Sequence, residues 1–333
     1  MNIDDGFPFR IISGFRPLRG LHVAHHAAVL RDVCKYQYVQ KRCTYIFVAD
    51  HHAHSRWDER VDFANIGKRT RETAKQLLAC GVNPEFSVLY RQSDIPELFE
   101  IMWFIAGVVP DSTLRRGHAV ASDPAPSAGI YLYPLLMVAD ILSLKATNVA
   151  VGKDQKQHLE LARDVARKLI RRFGPKLLPI PDSLSVDPPL ILGIDSSEDR
   201  PKKMGSEFNN DIPLFADEDT VRDRIEKILT RPIKWGEVLP IEGCNILHCA
   251  WAIAGEKTKD CFARKYEAGG YGYSDAKKEL TDLFFDHFQP IRQRYAEIED
   301  GEVDRVLRSG ASAAREQIAH LVFEVRDEVA TLI

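Results

Sequence analysis

The chain is 333 residues long, 45% hydrophobic and 28% charged, with a formal net charge of −3. A length of this order accommodates two domains, or one large domain with an appendage. The balanced charge excludes a globally basic nucleic-acid surface and leaves only a local basic face open, while no apolar run approaches the roughly 18 residues of a membrane span. Six scattered cysteines (Cys34, Cys43, Cys80, Cys244, Cys249, Cys261) include no CxxC pair. They read as reduced thiols, and the opening "MNIDDGFPFR" lacks the basic and apolar regions of a secretory leader, so a cytoplasmic protein is expected.

In chain order, "FRIISGF" and "TYIFVADHH" predict short buried strands, with the helical pattern of "HVAHHAAVLRDVCKYQYVQ" between them. That is a β-α-β unit, hence a parallel sheet. An amphipathic segment from Phe63 to Cys80 precedes a third strand candidate, "EFSVLYRQS". "DIPELFEIMWFIAGVV" opens with Asp94 as a helix cap and Pro96 near the first helical position. Residues 109–129, rich in Pro, Gly, Ser and Ala, read as a mobile loop. "LYPLLMVADILSLK" follows as a helix, with Pro134 in its first turn. Then "ATNVAVGKDQKQHLELARDVARKLIRRFG" reads as strand, Gly turn and long helix, and Pro175–Pro189 as a connector. Strand signals fade near residue 200. The reading is an α/β, Rossmann-type parallel-sheet domain over 1–200, a basic Gly-containing loop over 201–210, and an all-helical domain over 211–333.

Asp140 is the residue that most needs an explanation. It lies in an apolar run, and an ionised carboxylate leaves water at high cost unless donors meet it. Tyr133, Met137 and Asp140 stand at i, i+4 and i+7, on one helix face. A core stripe with a wet-edge Asp would explain Tyr133 and Met137. The added carboxylate suits a pocket for a flat apolar ligand carrying one N–H or O–H donor.

"SGFRPLRGLHVAHH" runs from a strand through a turn into a helix bearing His22, His25 and His26. In doubly wound sheets, ligands sit outside the strands' C-terminal ends, where helix N-termini favour anions. Neither a Walker A loop nor GxGxxG is present. The histidines and Asp50 of "VADHHAHS" invite a metal reading, but further acidic ligands at strand ends are not evident, so no metal site is assigned. Gly152 permits a tight turn, with Asp154 and Gln155 at the following helix start, either capping it or holding a ribose or an ammonium group. "RPKKMGSEFNN" alone is a solvated linker.

Taken together and in order, these segments resemble the class I aminoacyl-tRNA synthetases, and within them the bacterial tryptophanyl-tRNA synthetase family. "SGFRPLRGLHVAH" stands at its GxQPTG turn and HIGH-type signature, and "VADHHA" at the next strand end. "RQSDIPE" resembles its QSxVPE segment, "YPLLMVADIL" its specificity helix and "VGKDQKQHLELARDVA" its GEDQxQH segment. "KKMGSEFNN" falls at its KMSKS loop, and "EGCNILHCAWAIAG", "YEAGGYGYSDAKKEL" and "PIRQRYAEI" look like its helical half. The resemblance covers roughly residues 10–320.

What the resemblance implies is tryptophan activation by Mg-ATP, then transfer to tRNA(Trp), in a cytoplasmic homodimer with no membrane association. Asp140 would accept the indole N–H and Met137 would pack on the ring. Tyr133 and Gln155 would hold the α-ammonium group, and His52 matches a further pocket position. His22, His25 and Lys203 match the catalytic signatures. Arg16, Gly20, Ala24, Gly152, Asp154, Met204, Gly205 and Ser206 match ATP-binding positions.

Departures gather around ATP. Ala24 replaces the signature glycine, Ser206 stands for the second lysine of KMSKS and Glu207 for its last serine. No lysine occurs between Lys75 and Lys145, while Arg16 replaces a Gln and Lys153 a Glu, restoring positive charge. A paralogue that activates tryptophan or a related amino acid outside bulk translation, and a catalytically silent tryptophan- or tRNA-binding protein, are the alternatives.

Overall fold

The computed structural model describes all residues except 1–6, 42, 56–62, 118–124, 153–155, 185–189, 198, 235–236 and 331–333. Five parallel strands form one sheet: β1 (Ile11–Phe15), β2 (Thr44–Val48), β3 (Ser87–Arg91), β4 (Asn148–Val149) and β5 (Asp182–Ser183). Their spatial order is β3-β2-β1-β4-β5. Because β1 neighbours both β2 and β4, the chain reverses its winding direction at β1. Such a switch point opens a crevice at the strands' C-terminal ends.

The sheet is buried on both faces, which is why its strands read as continuous apolar runs. Alternate residues serve the two cores. Ile11, Phe15, Ile46, Val48 and Leu89 face one, and Ile12, Tyr45, Phe47, Val88 and Tyr90 the other. Against the first face lie α1 (Val23–His25), a π turn (His26–Leu30), α2 (Arg31–Tyr36) and α4 (Ile66–Ala79). That core continues into the later helices α9 (Glu218–Glu226), α10 (Asn245–Ala254), α11 (Glu256–Ala268) and α12 (Tyr273–Glu297). On the second face pack α5 (Glu97–Ala106), α7 (Ala128–Ser143), α8 (Lys156–Phe173) and much of α13 (Asp300–Ala330), which returns from the helical region to cover edge strand β3. Two short helices, α3 (Asp50–Ala53) and α6 (Asp111–Arg115), complete the set used below.

Four local expectations change. Helix α7 starts six residues before Pro134, at Ala128, because Ser127 caps it by accepting from the Ile130 N–H at 3.2 Å. Pro134 is therefore interior, where it lacks one N–H for the helical ladder. Asp94 caps nothing: it pairs with Arg91 at 2.9 Å, and Pro96 stands at the N-cap of α5. Helix α6 occupies part of the stretch read as a loop, and β5 lies within the Pro-rich connector.

The junction between the π turn and α12 has a pH signature. His26 sits edge-on to Phe288 and His287, with ring centroids 5.0 and 5.7 Å away. Burial, then the nearby His287 and Arg31, lower its pKa from 6.5 to about 4. The folded state thus binds this proton less readily than the unfolded chain. Its contribution to stability is complete above about pH 6.5 and is lost as pH falls towards 4. His26→Phe is expected to narrow the gap between melting temperatures at pH 7.5 and pH 5, by the equivalent of about 2 kcal/mol. An unchanged gap would exclude this role.

Candidate active site

Beside the crevice expected at the switch point, α7 meets the residues that follow β2 and β3 around Asp140. Asp140 is 1% exposed. Gln92 Nε2 donates to both its carboxylate oxygens, at 2.9 Å to Oδ1 and 2.8 Å to Oδ2. His52 Nε2 lies 3.0 Å from Oδ2. Burial pushes the Asp140 carboxyl above its ordinary value, while the donors from His52 and Gln92 pull it back. A carboxylate offers about four lone-pair sites, so these contacts leave acceptor capacity for a further donor.

The partners of Asp140 are themselves held. Gln92, fully buried, accepts from the His52 backbone N–H at 3.3 Å. Asp50 accepts from Ser93 Oγ at 2.5 Å and from the Ser93 and His51 N–H groups at 3.0 and 3.1 Å. These bonds tie α3 to the end of β3 and fix His52 beneath α7. Tyr133 meets His158 Nε2 through its hydroxyl at 2.7 Å, and its ring stands edge-on to His52 with centroids 6.2 Å apart. Met137, half-buried, packs against the second core beside them. Tyr133, Asp140 and His52 are therefore brought together, with Met137 between Tyr133 and Asp140 on the same helix. Gln155 and Asp154 lie outside the described residues.

At the other end of the crevice, residues 21–23 run antiparallel to residues 212–214. Val23 N–H donates to Ile212 O and Leu214 N–H to Leu21 O, both at 3.0 Å. This pairing brings the His22 turn beside the Lys203 loop. His22 is buried at the N-cap of α1, its ring 3.8 Å from that of His25, and its backbone N–H donates to His25 Nδ1 at 3.2 Å. Burial, the adjacent His25 and the Lys203 cation hold His22 well below the usual imidazole value, so it is neutral at pH 7. A neutral ring here acts as a hydrogen-bonding group rather than as a cation.

Gly20 has φ +86°, and the next N–H, that of Leu21, donates to Gln76 Oε1 at 2.8 Å. Ala24 is buried in the first core and Arg16 is exposed at the turn. On the facing loop, Met204 is fully buried while Lys203 is exposed; Gly205 and Ser206 are buried. Gly152, half-buried, follows β4.

Residues 5–289 match the family of class I tRNA synthetases (W and Y). The chain belongs to that family. A tryptophan–tRNA ligase of Bordetella parapertussis is 31% identical over 336 residues, covering 96% of this chain and 72% of the relative. The Campylobacter jejuni ligase is 29% identical over 313 residues, covering 92% of this chain and 95% of its own. The crystal structure of the Campylobacter jejuni tryptophanyl-tRNA synthetase, complexed with ADP and tryptophan, superposes with a TM-score of 0.83 at 28% identity, covering 97% of this chain and all of that one.

In this class I synthetase, sequence reasoning missed the residues that hold the pocket rather than those that line it. Gln92 was the discoverable one, a polar side chain in the turn that directly follows β3 (Ser87–Arg91). His158 shares α8 with a strong apolar stripe (Leu159, Ala162, Val165, Ala166, Leu169), and nothing local marks it as the partner of Tyr133.

Proposed function

We propose that the chain activates tryptophan with ATP and transfers it to tRNA(Trp). The observation that carries this reading is Asp140, a fully buried carboxylate with two protein donors and acceptor capacity for one more, on the helix that also bears Met137 and Tyr133. An indole ring lying on Met137 presents one N–H, which matches the remaining acceptor. Tyr133 and Gln155 take the α-ammonium group, and His52 keeps Asp140 oriented. Phenylalanine brings no donor, and a buried acceptor left unpaired rejects it strongly.

ATP lies across the switch point, and Mg2+, when bound with it, would neutralise phosphate charge. The ribose rests on the Gly152–Asp154 segment and the adenine beside Gly20 and Ala24. The triphosphate lies between His22 and His25 on one side and Lys203, Met204, Gly205 and Ser206 on the other, with Arg16 near the turn. The tryptophan carboxylate attacks the α-phosphorus, a P–O bond forms, and pyrophosphate departs with the electron pair of the broken bond. The terminal ribose hydroxyl of the tRNA then displaces AMP. Protein catalysis is positioning and stabilisation of phosphate charge.

Residues 211–333 face the tRNA through a local basic surface. Two copies join around α5 and α7, where Phe99, Trp103 and Leu132 stand 44%, 77% and 37% exposed. The setting is the cytoplasm.

Amino-acid-dependent ATP–pyrophosphate exchange, run with each of the twenty amino acids and with and without tRNA, tests the reading. Exchange with tryptophan alone is expected. Exchange with another amino acid would overturn the Asp140 pocket, and no exchange from protein that binds tryptophan would leave a binding protein on this scaffold.

A further inference from the structure

The Lys203 loop has Ser206 where a second cation is expected and Glu207 beside it, yet it is firmly tied down. Its anchor is Asn210, 2% exposed. The side-chain Oδ1 accepts from the Gly205 N–H at 2.9 Å, and Nδ2 donates to the Lys203 carbonyl at 3.0 Å and to Asp195 Oδ1 at 2.8 Å. A primary amide has two N–H donors and one carbonyl acceptor, and here each is used. Ile194 N–H donates to the Asn210 carbonyl at 2.9 Å.

The surroundings leave this amide no alternative. A Cβ at Gly193 would overlap the Asn210 amide nitrogen, so the Gly193 backbone lies directly against it. Gly193 N–H donates to Lys202 O at 2.9 Å, and Gly193 O accepts from Asn245 Nδ2 of α10 at 2.8 Å. Lys202 Nζ reaches Asp195 at 2.6 Å. On the outer side, Arg224 of α9 donates to both the carbonyl and Oδ1 of Asn209, each at 2.5 Å, holding a residue at φ +56°. Met204 seals the loop into the core, its N–H on Ile191 O at 2.8 Å.

We infer that Asn210 is a positioning residue for the ATP half-reaction. By fixing the backbone at Lys203 and Gly205 together, it aims the Lys203 side chain across the crevice at His22 before nucleotide arrives. The inference rests on the assignment of Lys203 to the triphosphate. It also accounts for how a loop with one signature lysine keeps that lysine effective: the cation is preset instead of being recruited by closure.

The test is a double-mutant cycle on equilibrium binding of ATP to the full chain, with tryptophan binding measured alongside. Asn210→Leu is expected to weaken ATP by about ten-fold, as the loss of hydrogen bonds to a charged loop would. Lys203→Ala should weaken it by a similar factor, and the pair by no more than either alone, because Asn210 acts through Lys203. Tryptophan affinity should be unchanged in all three. Asn210→Ala, which removes the same three side-chain bonds without adding bulk or charge, should give a similar ATP defect and serves if the leucine variant does not fold. Unchanged ATP affinity, full additivity with Lys203→Ala, or an equal loss of tryptophan affinity would each overturn the inference. If the wild type binds ATP and the cycle is non-additive while no amino acid supports exchange, the proposed function fails and the positioning role stands. Absence of ATP binding in the wild type overturns both.

Discussion

Replacing Asp140 with asparagine is expected to raise the dissociation constant for tryptophan by about 10- to 100-fold, the range of a lost hydrogen bond to a charged group. Two effects act together. The charge that makes the indole N–H bond strong is removed. In addition, Gln92 Nε2 lies 2.9 and 2.8 Å from the two carboxylate oxygens, so an amide NH2 on either side of residue 140 faces another NH2. Gln92 can escape only by turning over, which takes its Oε1 from the His52 N–H. Thermal stability should move far less, since removing a buried charge offsets the donors left unpaired. Calorimetric titration of tryptophan, with a melting curve on the same sample, checks both statements. Near-normal affinity in a folded variant would sink the indole assignment and, with it, the basis for rejecting phenylalanine.

The sheet was legible because its three long strands are each buried on both sides, so every residue in "TYIFV" must be compatible with a core. Asp140 was legible for the opposite reason, as a polar residue where only apolar ones belong. What failed were inferences from single residues with two structural uses. Pro134 tolerates a first helical turn, but it also survives inside a helix that Ser127 has already started. Asp94 can cap or can pair, and Arg91, three residues back, decided for pairing. The lock on the Lys203 loop was invisible because Asn210, Asp195, Gly193 and Asn245 are joined only by the fold. Nor does an amphipathic helix reveal its partner: the stripe in α13 specifies a buried face, and its packing on β3 is a long-range fact. One local hint existed, a glycine among the small residues of "RSGASAAR", in the middle of a long helix.

That glycine sets two effects of opposite sign against each other. In an isolated helix, Gly310→Ala would stabilise by about 1 kcal/mol through helix propensity. Here a Cβ at residue 310 would overlap the Leu89 carbonyl oxygen and lie 2.6 Å from its carbonyl carbon. The obstacle is backbone of β3, not a side chain that can swing aside, and Leu89 is itself 1% exposed. The helix must therefore move away from the strand, and Val303, Leu307, Ala314, Ile318 and Leu321, all at most 2% exposed, move with it. The pairs from Arg315 to Glu97 and from Arg326 to Glu100 tether α13 to α5, but they are too exposed to hold it against that strain. Overpacking of a tight contact costs about 1–3 kcal/mol and occasionally more, and a contact between two backbones belongs at the upper end. The net expectation is a loss of about 2 kcal/mol, read as a fall in melting temperature of roughly 3 °C for a chain of this size. Lifting α13 also uncovers β3, an edge strand whose outer backbone groups would then be open to pairing with another chain. Aggregation on heating should begin earlier in the variant than in the wild type, while tryptophan affinity below the transition stays unchanged. A melting temperature equal to or above that of the wild type would mean that propensity wins and that the close approach of α13 to β3 is not what holds the edge of the sheet.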